Sequence, residues 1–238
     1  MTNHPFSLTG QHIAITGAGG GIGAECVRIA STLGARVTAA DLNKPAIDQA
    51  SGEGHQAAAL DISDQTAVET FINGLGDFDA LIDCAAICPF TEWGNQGWNQ
   101  EAEQVFRINM LGPINLVRAA MPKLKARERG SIALVGSIAG RIGGVRAEPH
   151  YAMSKGGVHA LVRWASTRMA PSCTINAVAP GPVDTPMTQG ETFETSGFPM
   201  QRMASAEEIA GPLVFLVSPA ARYINGSVLD INGALHFS

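Results

Sequence analysis

The segment His12-Ile-Ala-Ile-Thr16-Gly17-Ala-Gly-Gly-Gly21-Ile-Gly23 decides the fold of this chain. Its first five residues form a short apolar run, and Ala24–Leu33 carries apolar residues at helical spacing, so the segment predicts a strand, a glycine turn and a helix. Glycines here permit positive φ and remove the Cβ atoms that would keep a phosphate from the amides at the helix N-terminus. We therefore expect a pyrophosphate cradle built from Gly17, Gly20, Gly21, Ile22 and Gly23.

A second predicted strand, Arg36–Ala40, ends at Asp41, about twenty residues after the glycine turn. A carboxylate at this point accepts hydrogen bonds from an adenosine ribose and repels a 2′-phosphate. No lysine or arginine stands inside the glycine turn or directly after Asp41 to bind such a phosphate. The pattern favours NAD over NADP. The alternative, in which Asp41 caps a helix or lies in a surface turn, fits its position less well.

Strands and helices alternate along the rest of the chain. The further predicted strands are Gln56–Leu60, Asp79–Asp83, Ser131–Gly136, Thr174–Ala179 and Ser227–Ile231, and the further helices are Gln65–Leu75, Gln100–Lys125, Tyr151–Met169 and Ala206–Leu216. No repeat or linker interrupts this alternation, so we expect an α/β fold with one doubly wound Rossmann-type domain over residues 1–238. It would hold a parallel seven-stranded sheet with helices on both faces. The polar stretch of about 187–205 is predicted to be a mobile loop over the substrate.

Composition excludes several classes of protein. Of the 238 residues 45% are hydrophobic, and no apolar run is long enough to cross a bilayer. The polar N-terminus lacks a secretory signature, which predicts a cytoplasmic protein. A net charge of −5 without a large basic cluster argues against nucleic acid or an anionic membrane as partner. The four cysteines follow no disulfide or metal spacing, and we expect them to be reduced, with no metal site.

The pair Tyr151 and Lys155 places a phenol and an ammonium four residues apart, on one face of a helix. A phenol with a pKa of about 10 is a poor acid or base at neutral pH, but a nearby cation moves its pKa toward the working range. The motif alone is weak, since most such pairs are solvated neighbours. His150 is the first alternative base, although a solvent-exposed neighbour is the commoner role for such a residue.

Several weak motifs occur in one order: Thr16-Gly-x-x-x-Gly21-x-Gly23, Asn109, Ser137, Tyr151-x-x-x-Lys155 and Pro180-Gly181. With them the chain resembles the short-chain dehydrogenases/reductases of the ordinary soluble type, over essentially its whole length. The resemblance implies a Rossmann-type domain, usually a homotetramer, that transfers hydride between a nicotinamide cofactor and an alcohol or ketone.

The resemblance also implies a role for each matched residue. Tyr151 would be the acid/base, and Lys155 would bind the nicotinamide ribose and lower the pKa of Tyr151. Ser137 would hold the substrate oxygen, and Asn109 would anchor a water in the proton relay. Beyond the glycine turn, the implied cofactor contacts are Asp41, Leu42, Asp61, Ile62, Cys84, Ala85, Ala86, Tyr151, Lys155, Pro180, Gly181, Val183 and Thr185.

The chain departs from the family pattern at two places. Asp83-Cys84-Ala85-Ala86 stands where the family usually has Asn-Asn-Ala-Gly, which bears on cofactor affinity rather than chemistry. The spacing from Ser137 to Tyr151 is one residue longer than usual, which implies an insertion within Arg141–His150 that alters substrate specificity.

The favoured function is that of an NAD-dependent dehydrogenase of secondary alcohols. Within enzymes the alternative is an NADP-dependent ketone or 3-oxoacyl reductase, which Asp41 disfavours. An alternative of another class is a dehydrogenase-like protein that binds a dinucleotide or a partner without turnover, and the intact Asn109, Ser137, Tyr151 and Lys155 argue against it.

The substrate is expected to carry a polar or anionic group. Arg141 and Arg146 lie in the loop between Ser137 and Tyr151, and Arg202 lies in the predicted lid. Any arginine is more often a solvated surface charge, yet a guanidinium binds carboxylate or phosphate through two hydrogen bonds. Trp93 or Trp98 would cover the apolar part of the substrate, whose oxygen would contact Ser137.

Overall fold

A computed structural model of the protein describes residues 4–43, 55–127, 129–144 and 146–238. The strands are β1 His12–Thr16, β2 Arg36–Asp41, β3 Gln56–Ala59, β4 Ala80–Asp83, β5 Ser131–Val135, β6 Thr174–Pro180, β7 Val183–Asp184, β8 Ala204–Ser205 and β9 Val228–Ile231. Seven of them form one parallel sheet in the order β3-β2-β1-β4-β5-β6-β9, and β7 pairs with β8 outside it. The predicted doubly wound, seven-stranded sheet is confirmed.

Helices cover both faces of this sheet. They are α1 Gly21–Thr32, α2 Gln65–Gly74, α3 Trp98–Phe106, α4 Gly112–Ala126, α5 Ala139–Ile142, α6 Pro149–Met169 and α7 Ala206–Val217. Along β1 successive side chains face opposite layers: Ile13 and Ile15 join the core under α1 and α7, whereas Ala14 joins the core under α2, α4 and α6. Because both faces are buried, the central strands are apolar throughout, as parallel strands usually are.

The strand order reverses between β1 and β4. From β1 the chain builds outward to β2 and β3, and from β4 it builds outward to β5, β6 and β9. In sheets of this kind ligands bind in the crevice beyond the carboxyl ends of the strands at the point of reversal. The topology therefore predicts a ligand site between the turns that follow β1 and β4.

The prediction of a single long helix over Gln100–Lys125 is wrong in one respect. A π-helical turn, Arg107–Leu111, separates α3 from α4 and is centred on the fully buried Asn109. Pro113 supplies the reason, because it has no N–H to bond to the carbonyl of Asn109 four residues earlier. The break leaves Asn109 free to turn its side chain toward a neighbouring loop.

Three expectations from composition concern the described part of the chain. None of its helices is long and apolar enough to cross a membrane, and no group of three potential metal ligands occurs in it. The four cysteines are free thiols, as expected. The Sγ atoms of Cys26 and Cys84 lie 3.9 Å apart, too far for a disulfide bond.

Candidate active site

A cleft of about 720 Å³ opens at the carboxyl ends of the central strands, where the sheet reverses. It brings together residues from distant parts of the sequence, from Gly17 to Leu235. The predicted cofactor residues all line it, namely Gly17, Gly20, Gly21, Ile22, Gly23, Asp41, Leu42, Asp61, Ile62, Cys84, Ala85, Ala86, Tyr151, Lys155, Pro180, Gly181, Val183 and Thr185.

The glycine turn is shaped as a cradle. Gly17 and Gly21 have φ of +66° and +50°, a backbone conformation that side chains disfavour. A Cβ atom on Gly17 would overlap the backbone of Cys84 and Ala85, and one on Gly23 would overlap the carbonyl oxygen of Gly17. At Gly20, by contrast, the same atom would meet nothing within 4 Å. No side chain caps the N-terminus of α1, so its first amides are available to an anion, and the turn fits a dinucleotide phosphate.

Asp41 lies at the end of β2 and is tied to the glycine turn. Its Oδ2 accepts a hydrogen bond from the Gly19 N–H at 2.9 Å, and its Oδ1 accepts one from the Asn43 N–H at 3.2 Å. Among the described residues each carboxylate oxygen accepts one hydrogen bond and has a second lone pair left, so the group retains acceptor capacity toward the cleft.

Asp83, one of the departures from the family pattern, is fully enclosed beneath this turn. Its Oδ1 accepts hydrogen bonds from the Thr16 hydroxyl at 2.7 Å and the Ala85 N–H at 3.1 Å. Burial raises the pKa of Asp83, and these hydrogen bonds together with the charge of Lys155 oppose the shift. The carboxyl group thus joins the end of β1 to the turn after β4, from inside the protein.

Tyr151 and Lys155 occupy successive turns of α6, and Ser137 follows β5. The Lys155 Nζ lies 5.7 Å from the centre of the Tyr151 ring and donates a hydrogen bond to the Val135 carbonyl at 2.9 Å. The Ser137 hydroxyl oxygen accepts a hydrogen bond from the Ala139 N–H at 3.1 Å, so its own proton can be donated within the cleft. All three side chains line the cleft, and the predicted combination of phenol, ammonium and hydroxyl is therefore brought together.

The electrostatics of this group differ from the expectation. Burial raises the pKa of Tyr151, the nearby Cys88 thiol adds to the shift, and a hydrogen bond with Ser137 opposes it. Burial also lowers the pKa of Lys155, against the opposing charge of Asp83. The expected lowering of the Tyr151 pKa by Lys155 is absent from the chain alone, because the ammonium is directed at the Val135 carbonyl.

Asn109 lies one layer behind the cleft rather than in its lining. Its amide accepts from the Ile87 N–H at 2.9 Å and donates to the Ile87 carbonyl at 2.8 Å and to the Ser154 hydroxyl at 3.2 Å. Ser154 in turn donates to the Tyr151 carbonyl at 2.7 Å. Asn109 therefore links the loop after β4 to the backbone of Tyr151 through a continuous chain of hydrogen bonds.

The three arginines expected at the substrate are not brought together. Arg141 turns away from the cleft, donating to the Asp230 carboxylate and the Val228 carbonyl, both at 2.8 Å. Arg202 pairs with Glu208 at 2.7 Å beside a smaller, neighbouring pocket. Only Arg146 of these three lines the cleft, where it pairs with Glu191 at 2.6 Å and lies over the Phe193 ring.

The two tryptophans expected to cover a substrate lie outside the lining of the cleft. Trp93 is 66% exposed and packs on Trp98, with 4.7 Å between the ring centres. Trp98 in turn stacks on the ring of His150.

Sequence reasoning missed the wall that lies nearest Tyr151. It is apolar and comes from four separate segments: Ile87, Cys88, Phe90, Ile138, Ile142, Ala147, Met187, Phe193, Phe198 and Leu235. The only available signal was the presence of Phe193 and Phe198 in an otherwise polar stretch. Burial raises the pKa of the Cys88 thiol to about 12, so this cysteine is neutral.

A parallel doubly wound sheet, a glycine cradle and a Tyr151–Lys155 pair in one cleft define a nucleotide-binding oxidoreductase fold. Residues 17–236 match the family model described as enoyl-(acyl carrier protein) reductase. The chain therefore belongs to the short-chain dehydrogenase/reductase family, and the expected resemblance is confirmed. Members of this family bind a nicotinamide dinucleotide.

Individual relatives agree with this assignment. The chain is 34% identical over 247 residues to a galactitol 2-dehydrogenase (L-tagatose-forming) of Cereibacter sphaeroides, covering 96% of each protein. It is 31% identical over 238 residues to a cis-4-hydroxycyclohexanecarboxylate dehydrogenase of Sinomonas cyclohexanicum, covering 92% of this chain and 94% of that one. A solved short chain dehydrogenase/reductase family protein superposes with a TM-score of 0.89 at 30% identity, covering 95% of this chain and 97% of that one.

Proposed function

We propose that this protein is an NAD-dependent dehydrogenase that interconverts a secondary alcohol and its ketone, with Tyr151 as the acid/base. One observation carries the proposal: the Tyr151 phenol, the Ser137 hydroxyl and the Lys155 ammonium share a cleft whose far end is a glycine cradle. A nicotinamide dinucleotide would supply the hydride acceptor. The residues that would bind it are the predicted cofactor contacts named above, all of which line the cleft.

The chain's own residues divide the remaining work. Ser137 would donate its hydroxyl proton to the substrate oxygen, and Tyr151 would remove the proton of the alcohol as hydride leaves carbon for the cofactor. Lys155 would bind the nicotinamide ribose of the cofactor, and its ammonium would favour the phenolate form of Tyr151. Asn109 holds the water through which that proton reaches solvent. Burial raises the pKa of Tyr151 in the chain alone, and we expect the positive charge of a bound oxidised nicotinamide to lower it and so make the phenol a more effective base.

Cofactor choice follows from Asp41. Its carboxylate lines the end of the cleft where an adenosine ribose would lie, and within the described residues no lysine or arginine lines that end. Placing a 2′-phosphate beside this carboxylate would bring two negative charges together, so NAD is preferred. An NADP-dependent 3-oxoacyl reductase is the second candidate, favoured by the family description, which refers to acyl carrier protein.

The cleft also supports a substrate class. The wall next to Tyr151 is apolar, and Arg146 is the cation at its rim on the described part of the chain. An apolar secondary alcohol with a carboxylate would place its hydroxyl at Tyr151. Its carboxylate would then replace that of Glu191 as the partner of Arg146. The relative named for cis-4-hydroxycyclohexanecarboxylate belongs to this chemical class.

The remaining parts of the proposal concern the assembly. The 238 residues act as a single domain in the cytoplasm, and residues of about 187–205 cover the substrate. A homotetramer would bury the exposed apolar side chains of the π-helical turn, α4 and α6, which include Leu111, Ile114, Met153 and Trp164. Light scattering at micromolar concentration would give the mass of a monomer if these faces are not an interface.

A panel of alcohols tests the function. The purified protein would be assayed with NAD and with NADP on cyclohexanol, cis-4-hydroxycyclohexanecarboxylate, galactitol and a 3-hydroxyacyl thioester, by absorbance of the reduced cofactor. We expect NAD-linked oxidation of the carboxylate-bearing ring alcohol, and a loss of about a hundredfold to ten-thousandfold in Tyr151→Phe. Turnover of the thioester with NADP would establish the second candidate. Activity of Tyr151→Phe above about a tenth of wild type would show that another group is the base.

A further inference from the structure

His150, the residue before Tyr151, is fully buried at the start of α6. This contradicts the expectation of a solvent-exposed neighbour. Its Nδ1 lies 2.7 Å from the Tyr151 backbone nitrogen, and its Nε2 lies 3.1 Å from the Glu101 Oε1. Both ring nitrogens of His150 are thus engaged, one with the backbone of Tyr151 and the other with α3.

These contacts fix the protonation of the ring. The Tyr151 N–H can only donate, so the Nδ1 of His150 accepts and carries no proton. The proton of a neutral imidazole then sits on Nε2 and is donated to the carboxylate of Glu101. With neither nitrogen free, His150 is unavailable as the alternative base considered from the sequence.

The bridge continues beyond Glu101 to the wall of the cleft. The second carboxylate oxygen, Oε2, accepts a hydrogen bond from the Thr91 hydroxyl. Thr91 directly follows Phe90, which lines the cleft. The indole of Trp98 stacks on the His150 ring at 4.9 Å with an angle of 10° between the planes, and so restrains the ring. One network therefore runs from the cleft wall to the Tyr151 backbone.

We propose that His150 and Glu101 are positioning residues that hold Tyr151 in register with the apolar wall on which the substrate would lie. The proposal rests on the function assigned above to Tyr151. The Tyr151 N–H belongs to the first turn of α6, where backbone donors lack an α-helical partner, and its other acceptor is the Glu148 carbonyl at 3.1 Å. His150 completes the hydrogen bonding of the residue whose phenol must reach the substrate.

Such a bridge acts on turnover rather than on cofactor binding. Misplacement of a catalytic group by about 1 Å costs up to about a hundredfold in rate. We expect His150→Ala to lower kcat about tenfold or more, while the KM for NAD stays within about twofold of wild type. Glu101→Ala should lower kcat similarly. Glu101→Gln should retain most activity, because its amide oxygen accepts from His150 and its amide nitrogen donates to the Thr91 hydroxyl.

Two amide replacements test the roles of the two ring nitrogens of His150 separately. His150→Asn places an oxygen near the position of Nδ1 and can accept from the Tyr151 N–H, whereas His150→Gln places a donor near Nε2 only. We expect His150→Asn to recover more of the lost kcat than His150→Gln. Glu103→Ala changes an exposed position on α3, the helix that carries Glu101. It is the matched control and should behave as wild type. Equal kcat in His150→Ala and wild type, with Tyr151→Phe inactive, would overturn this inference and leave the proposed function standing.

A second measurement does not depend on a substrate. The chain has two tyrosines, so Tyr223→Phe leaves Tyr151 as the only source of tyrosinate absorbance. Loosening Tyr151 would admit water and lower its raised pKa toward the ordinary value of about 10. We expect that fall in His150→Ala and its reversal in His150→Asn, both in the Tyr223→Phe background. Equal shifts in the two variants, or no shift in either, would show that His150 only fills space.

Discussion

The two ends of the cleft satisfy their buried polar groups in different ways. At the cofactor end side chains tie the strand ends to one another and to the glycine turn: Thr16 donates to Asp83 at 2.7 Å, and Asp41 accepts from the Gly19 N–H at 2.9 Å. Near the catalytic end, two buried nitrogens in the described structure have no hydrogen-bond partner, Trp98 Nε1 and His159 Nε2. An unpaired buried donor or acceptor costs about 1–3 kcal/mol.

The difference teaches where this fold can tolerate change. The cofactor end is determined by backbone shape, since Gly17 and Gly23 lie where a side chain would overlap another part of the main chain. The catalytic end is assembled from side chains of distant segments, and the ion pair Arg146–Glu191 lies partly exposed at its rim. We therefore expect substitutions at the first end to act on stability and cofactor, and substitutions at the second to act on turnover and substrate.

The largest effect is expected at Gly23. Gly23→Ala would place a Cβ atom on the carbonyl oxygen of Gly17, so the turn must deform, at a cost of roughly 3 kcal/mol in the free energy of unfolding. NAD binding measured by calorimetry should be lost with it. Gly20→Ala is the control, because its backbone is extended and its Cβ would meet nothing within 4 Å. Equal urea midpoints for the two variants would contradict a backbone-determined cradle.

Asp41 should control the choice of cofactor at the same end. Wild type is expected to prefer NAD over NADP by about a hundredfold in kcat/KM, because the carboxylate repels a 2′-phosphate. Asp41→Asn keeps an acceptor for the Gly19 N–H and removes the charge, so it should reduce this preference to about tenfold or less. Glu69→Gln removes an exposed charge elsewhere and serves as the control. A wild-type enzyme that uses both cofactors equally would refute the assignment of NAD.

We expect His159, whose Nε2 has no hydrogen-bond partner among the described residues, to make the stability of the folded protein sensitive to acid. Burial, reinforced by the charge of Arg141, lowers the pKa of His159 to about 4, below the unfolded value of about 6.5. Between these values the unfolded chain binds a proton that the folded chain does not, so stability falls as pH falls. From pH 7 to about pH 5 this site alone should cost roughly 2 kcal/mol.

Urea unfolding at the two pH values tests this sensitivity. His159→Leu should show a smaller loss of stability on acidification than wild type, by about the same 2 kcal/mol. His4→Leu, at an exposed position, is the control and should follow wild type. If His159→Leu loses as much stability as wild type, the histidine is protonated in the folded protein.

The smallest effect is expected for substrate binding. Arg146→Ala should raise the KM for an anionic alcohol about tenfold and leave the KM for cyclohexanol unchanged, since a charge-assisted hydrogen bond contributes about 1.5–3 kcal/mol. Arg202→Ala should change neither constant. Arg141→Ala should lower stability rather than affinity, because its guanidinium joins α5 to β9. An unchanged KM in Arg146→Ala on the anionic substrate would make this arginine a surface charge.

The sequence predicted most where neighbouring residues determine the structure. The strand, turn and helix around Gly17–Gly23 and the acidic residue at Asp41 follow from local spacing, so the cofactor end was accessible to motif analysis. Arg141 was misjudged because its partner, Asp230, lies 89 positions away. His150 was judged exposed because Glu101, 49 positions earlier, could not be paired with it from spacing.

One break in a helix could have been predicted from a single residue, although the surrounding apolar residues indicated a continuous helix. The apolar run Val105–Val117 suggested one continuous helix, yet Pro113 cannot supply the N–H that an α-helix needs at Asn109. The apolar wall beside Tyr151 could not be foreseen, because it forms only when four segments converge. Substrate preference is therefore the part of the site that depends most on the tertiary structure.

The most direct test of the account is the ionisation of Tyr151 in Tyr223→Phe, with and without NAD. Burial should keep the Tyr151 pKa above its ordinary value of about 10 in the free protein. The positive charge of oxidised nicotinamide, bound in the same cleft as Lys155, should lower it by at least about one unit. Tyrosinate absorbance after a rapid pH jump measures both values before unfolding. A lower pKa with NAD is the predicted result, and identical titrations with and without NAD would contradict the role of Tyr151.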